Sequence, residues 1–148
     1  MTHVLIAVAT FYPDIADTLV KGAVLALERA DTTFDVVEVP GAFEIPAAIR
    51  FAMNSNAYDG YIALGCVIRG ETSHYDYVCG ESARALMDLS VNHDSAIGYG
   101  ILTVESMQQA ILRADIAEGN KGDDAASACL RMIQLKQIFS EKMAGNKR

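Results

Sequence analysis

Residues Gly65–Cys79 read GCVIRGETSHYDYVC, and the fold turns on how this stretch is interpreted. An apolar run, Tyr61–Ile68, ends abruptly in Arg69-Gly70-Glu71-Thr72-Ser73-His74. Polar and ionisable groups therefore crowd where a buried strand should give way to a helix. Open α/β folds bind their ligands at such a junction, because the carboxyl ends of parallel strands face a crevice. Gly70 lets the backbone approach a ligand, and the hydroxyls of Thr72 and Ser73 can cap the next helix. His74 falls in the first turn of that helix. The positive end of a helix dipole disfavours imidazolium, so an imidazole there suits general acid–base chemistry.

The flanking chain repeats the same alternation. His3–Thr10 (HVLIAVAT) is continuously apolar, as expected of a parallel strand covered on both faces. Pro13 suits a helix start, and Ile15, Leu19, Ala23 and Leu27 recur at helical spacing from Asp14 to Ala30. Phe11 then lies at the carboxyl end of the first strand. It is either a staple onto the helix or a platform for a planar ligand. Phe34–Val39 predicts a second strand, broken by Pro40-Gly41. Ala42-Phe43-Glu44 leads into a helix with Pro46 in its first turn and Ala47–Met53 as its body. Glu44 complements that helix dipole or accepts from ligand hydroxyls or ring N–H groups.

After the third strand, His74–Val91 carries a mostly apolar stripe and predicts a helix. Ser95–Thr103 predicts a fourth strand holding Tyr99 between two glycines. A short helix follows to Ala114, with Thr103 as N-cap and Glu105 in its first turn. Asp115–Gly122 predicts a loop bracketed by Arg113 and Lys121. Asp123–Met143 predicts the last helix, and about 144–148 a frayed tail. His3 has no evident partner, and His93 lies in a polar loop. The sum is a single three-layer α/β/α domain with a four-stranded parallel sheet.

Composition narrows the function. One domain accounts for 148 residues, with no internal repeat. Net charge is −7 and the isoelectric point about 4.8, which argues against a nucleic-acid surface. An anionic ligand would need a few focused cations. Cys66, Cys79 and Cys129 are odd in number and lack zinc-ligand spacing, so reduced thiols in the cytoplasm are expected. Neither a signal peptide nor a membrane span is expected. Hydrophobic residues make up 51% and mean hydropathy is +0.19, high enough to suggest buried subunit contacts.

Four motifs then point to a family. VPGAFEIP (Val39–Pro46), LGCVIRGETSHYDYV (Leu64–Val78), GILTVE (Gly100–Glu105) and GNKG (Gly119–Gly122) stand in the order and spacing of the 6,7-dimethyl-8-ribityllumazine synthases. The chain resembles them from about Val4 to about Phe139. That resemblance implies a flavodoxin-like topology and a transferase of riboflavin biosynthesis. The amine of 5-amino-6-(D-ribitylamino)uracil would attack the ketone of L-3,4-dihydroxybutan-2-one 4-phosphate. A Schiff base forms, phosphate is eliminated, and ring closure with loss of water gives the lumazine. Neither metal nor organic cofactor is expected.

By the same resemblance, Phe11 stacks on the pyrimidine, and Ala42, Phe43 and Glu44 bind the ribityl chain. Cys66, Val67 and Ile68 line the pyrimidine pocket, and Glu71 and Thr72 contact phosphate. His74 transfers protons. Tyr99 reaches the pyrimidine and Arg113 the phosphate from a neighbouring subunit, and Lys121 belongs to that same site. Cys66 stands where Thr is common, Tyr99 where Phe is common, and Glu71 brings a carboxylate towards phosphate. The partners implied are small molecules and further copies of the chain, in a pentamer with the sixty-subunit shell as the larger assembly. The chain is expected to lack the extra N-terminal segment that pairs with a neighbouring subunit in many members, which favours the pentamer over the shell. A non-catalytic flavin- or lumazine-binding protein would not need His74, Arg113 and Lys121 together. A receiver-like domain would carry acidic residues after the first strand and an aspartate ending the third, where this chain has Thr10-Phe11 and Ile68-Arg69.

Overall fold

The computed structural model describes residues 1–146. Four strands form one parallel sheet: β1 (His3–Ala9), β2 (Thr33–Val39), β3 (Gly60–Ile68) and β4 (Ile97–Val104), in the order β2-β1-β3-β4. Five α-helices connect and cover them: α1 (Pro13–Arg29), α2 (Ile45–Met53), α3 (His74–Asn92), α4 (Met107–Ala114) and α5 (Lys121–Asn146). The order is that of flavodoxin-like sheets, and its switch point lies between β1 and β3.

The continuous apolar runs are explained by two cores. Val4, Ile6 and Val8 pack beneath α1, α4 and α5 with Ile62 and Leu64. Leu5, Ala7 and Ala9 pack on the opposite face with Tyr61 and Ala63, against Ile45 and Ile49 of α2 and Leu86 and Leu89 of α3. Successive strand residues point to opposite faces, so both sets must be apolar for a three-layer domain. The edge strand β2 departs from this, leaving Val36 and Val37 exposed.

The helix after β4 begins later than the sequence suggests. Thr103 and Val104 extend the ladder opposite Val67 and Ile68, and the Arg69 N–H donates to Val104 O at 2.9 Å. Pairing of these β-branched residues on the pleated surface takes Thr103 away from the helix cap. Ser106 caps α4 instead, its Oγ accepting from the Gln109 N–H at 3.2 Å. Glu105 therefore precedes the helix. Similarly α5 begins at Lys121 rather than Asp123, and it continues into the stretch read as a tail, reaching Asn146. The remainder of that tail lies outside the described residues.

Glycines explain how the α5 layer sits so close. A Cβ at Gly122 would collide with Leu19 O of α1, and one at Gly98 with Ala125 O. His3 does have partners: its ring stacks on Tyr58 at 5.2 Å, with Nδ1 2.7 Å from Thr33 Oγ1 and Nε2 3.2 Å from Asp35 Oδ2. Thr33 and Asp35 reach His3 because β1 pairs with β2, and Tyr58 reaches it because β3 pairs with β1, which sequence spacing does not reveal.

Candidate active site

A cavity of about 630 Å³ opens at the carboxyl ends of β1 and β3. Its floor is the end of β3, Cys66-Val67-Ile68. One wall is Pro40–Glu44, the turn that leaves β2 and forms a single 3₁₀ turn, Ala42–Glu44, before α2. The opposite wall is Thr72, His74, Tyr75, Tyr77 and Val78, and Phe11 and Tyr12 form the rim.

Each wall follows from its local sequence. Pro40 and Gly41 end β2, and Glu44 Oε1 accepts the Gly41 N–H at 3.1 Å. That bond closes the turn as the carboxylate of a capping box does, so one Glu44 oxygen has a structural duty while the residue still lines the cavity. Across from it, the His74 N–H donates to Thr72 Oγ1 at 3.3 Å, and the Asp76 N–H to Ser73 O at 3.0 Å. The Thr72 side chain thus satisfies an otherwise orphaned donor at the start of α3. Ser73 is the N-cap, but its side chain makes no cap bond.

Phe11 resolves in geometry what position left open. Its ring is 70% exposed and meets Tyr12 edge-on at 5.0 Å. A ring this exposed buries little against α1, so Phe11 does not staple the helix, and it stands at the cavity rim. Cys66 is chemically quiet: burial pushes its thiol up to about 11, with nearby Cys79 adding to the effect. The thiol form dominates at neutral pH, so Cys66 contributes shape and backbone rather than a nucleophile.

Nine of the thirteen residues singled out from the sequence line this one cavity: Phe11, Ala42, Phe43 and Glu44, then Cys66, Val67, Ile68, Thr72 and His74. The other four do not. Glu71 sits in the exposed loop outside the lining, so its carboxylate is not directed at the cavity walls. Tyr99 lies on the edge strand β4, opposite Ala63 and 44% exposed, and desolvation raises its phenol. The Arg113 guanidinium donates to Gln109 O at 3.1 Å over the last turn of α4. Lys121 pairs with Asp124 at 3.2 Å.

The GNKG turn has packing reasons of its own. Gly119 approaches Arg113 so closely that a Cβ would lie 2.8 Å from its Cα, and the Gly119 N–H donates to Leu112 O at 3.0 Å. Pro40, Gly41 and Gly70 also line the cavity, and Tyr12, Tyr75, Tyr77 and Val78, which were not singled out from sequence, complete it. For α3 the signal was available: residues 74, 77 and 78 fall at i, i+3 and i+4, one face of a helix.

Fold and cavity together define a doubly wound α/β domain that binds a small ligand at its topological switch point, beside a histidine at a helix start. The chain belongs to the 6,7-dimethyl-8-ribityllumazine synthase family, whose model matches residues 1–137. A 6,7-dimethyl-8-ribityllumazine synthase of Bartonella tribocorum is 57% identical over 140 residues, covering 94% of this chain and 93% of its own. One from Methylobacterium radiotolerans is 56% identical, covering 92% and 83%. A protein named 6,7-dimethyl-8-ribityllumazine synthase 1 in Rhizobium meliloti is also 56% identical, covering 91% and 92%.

Proposed function

We propose that the chain condenses 5-amino-6-(D-ribitylamino)uracil with L-3,4-dihydroxybutan-2-one 4-phosphate to form 6,7-dimethyl-8-ribityllumazine. The observation that carries this reading is the cavity, because the motifs that mark the family are the ones that build its floor and both walls. The primary amine adds to the ketone and water leaves to give an imine. Phosphate is then eliminated, and the ribityl-bearing nitrogen closes the ring with loss of a second water.

In this reading Phe11 covers the pyrimidine, and Cys66–Ile68 present backbone groups to its edge. The Ala42–Glu44 turn takes the ribityl hydroxyls. His74 gives and takes protons at the carbinolamine and during elimination. Holding two reactants in one cavity supplies much of the acceleration.

Among the described residues, the lining contains no lysine or arginine. A departing phosphate needs cations and N–H donors already in place, and Thr72 offers only a hydroxyl and backbone. A second copy of the chain, bringing Arg113, Lys121 and the exposed Tyr99 against the first copy's cavity, would supply them, with Glu71 and Thr72 on the near side. Such an interface joins two different surfaces, so it propagates head to tail and closes into a ring. We take that ring to be a pentamer, in preference to a sixty-subunit shell. The exposed apolar side chains of α3 (Tyr77, Met87, Val91) and α4 (Met107, Ile111, Leu112) supply the surface to be covered. No helix among the described residues is long and apolar enough to cross a membrane. The three free cysteines fit a cytoplasmic enzyme.

The test is absorbance in the lumazine band after mixing purified protein with both substrates. Product formed well above the spontaneous reaction supports the synthase. Tight binding of a lumazine or riboflavin with no product would replace it with a binding protein on the same scaffold.

A further inference from the structure

Arg69 stands between the strand that floors the cavity and the loop that carries Thr72 and His74, yet it does not line the cavity. Its Nε donates to Glu105 Oε2 at 2.8 Å, and Nη1 lies 3.4 Å from Asp76 Oδ1. The guanidinium carbon sits 4.3 Å from the centroid of the Tyr75 ring, which does line the cavity. One planar cation thus touches the β4–α4 turn, the first turn of α3 and an aromatic wall.

The anchor is firm and the anchored segment is not. Glu105 lies on a turn closed from both sides: its own N–H donates to Gln109 Oε1 at 2.8 Å, while Ser106 Oγ accepts the Gln109 N–H. Gly70–Thr72 lies between the end of the β3 ladder and the start of α3, and Gly70 has no neighbour within 4 Å of a Cβ position. We propose that Arg69 is a positioning residue: bridged to Glu105 and Asp76 and laid over Tyr75, it fixes the Gly70–His74 segment relative to the cavity floor. The inference rests on the synthase reading for its catalytic consequence, but not for its structural one.

Geometry separates this role from the obvious rival, a free cation for phosphate. An arginine held by two carboxylates has little charge to offer an anion, and a fork that stacks and bridges at once is a task lysine cannot share. All three charged groups are substantially exposed, so the ion pairs add little to global stability. Their effect is local, where a displacement of about 1 Å can cost up to about 10²-fold in rate.

The test uses full-length Arg69→Gln, Glu105→Gln and the double variant, with two readouts. Hydrogen exchange of the amides from 70 to 76 should quicken by about 5-fold or more in both single variants, and no further in the double. In the synthase assay each single variant should lose about 10-fold in kcat, and the double should match the singles within about twofold. The KM for the pyrimidine should hold within about twofold, since Phe11 and Ala42–Glu44 are untouched. Exchange at the wild-type rate in the Glu105 variant overturns the clamp, whether or not the protein makes product. So does a Glu105 variant at or above wild-type activity beside an impaired Arg69 variant, which would make Arg69 a direct phosphate ligand. Variants that exchange as expected beside a wild type that makes no product refute the synthase reading and leave the clamp standing.

Discussion

At the scale of single residues, the cavity sets the His74 imidazole beside a mostly apolar floor, and the proposed reaction gives it the proton transfers. His74→Ala should therefore slow product formation by about 10²-fold or less, because positioning of both reactants survives the loss of the imidazole. Steady-state rates by lumazine absorbance check this, and an unchanged rate would remove His74 from the chemistry. Cys66 offers a contrast, since its burial holds the thiol at about 11 where an ordinary cysteine titrates near 9. Iodoacetamide at pH 8 should modify Cys66 far more slowly than a free thiol, with labelling rising steeply only above pH 10; peptide mapping reads both. The linkage sign follows: between pH 9 and 11 the folded state holds a proton that the unfolded state has released. Stability from this site is therefore full below pH 9 and falls as pH rises towards 11. Cys129, pushed up to about 12 by burial, acts in the same direction.

Elements show where sequence was legible and where it was not. Ser106→Ala should cost about 1 kcal/mol in urea unfolding, because it frees the Gln109 N–H at the start of α4, whereas Thr103 carries no such bond. Both residues are good caps in isolation, and only the register of β4 against β3 decides between them. The central strands β1 and β3 were readable because burial on both faces forces unbroken apolar runs, and the cavity floor followed from where the β3 run stops. The Tyr75 and Tyr77 contribution was harder to see, since aromatic residues in a helix serve a core equally well. The GNKG turn reads differently at this scale than as a motif. Gly122→Ala should destabilise the fold by about 1–3 kcal/mol through its collision with Leu19 O. A substitution at Lys121, which is half exposed and paired only with Asp124, should leave unfolding nearly unchanged.

At the scale of the whole molecule, the decisive fact is a division. Floor, two walls and the histidine belong to one cavity, while Tyr99, Arg113 and Lys121 lie outside its lining. Residue spacing alone does not tell whether residues meet within a chain or across copies; the family resemblance set Tyr99 and Arg113 on a neighbouring copy, and the sheet order and helix layers put them outside this chain's own cavity lining. If the site is shared, the two sets of residues must be separable between subunits. His74→Ala chains lack the proton-transfer group but keep Arg113, and Arg113→Gln chains keep His74 but present no guanidinium to their neighbours. Each homo-oligomer should be slow. Co-expressed in one cell, the two chains form mixed rings in which some interfaces pair an intact His74 with an intact Arg113 from the adjacent copy. In an evenly mixed ring about a quarter of the interfaces are of this kind by chance, so activity should recover to about a quarter of wild type per site. A site built wholly within one chain predicts instead that the mixture performs no better than the average of its two parents. Differently tagged chains purified in tandem, followed by the lumazine assay, distinguish these outcomes directly.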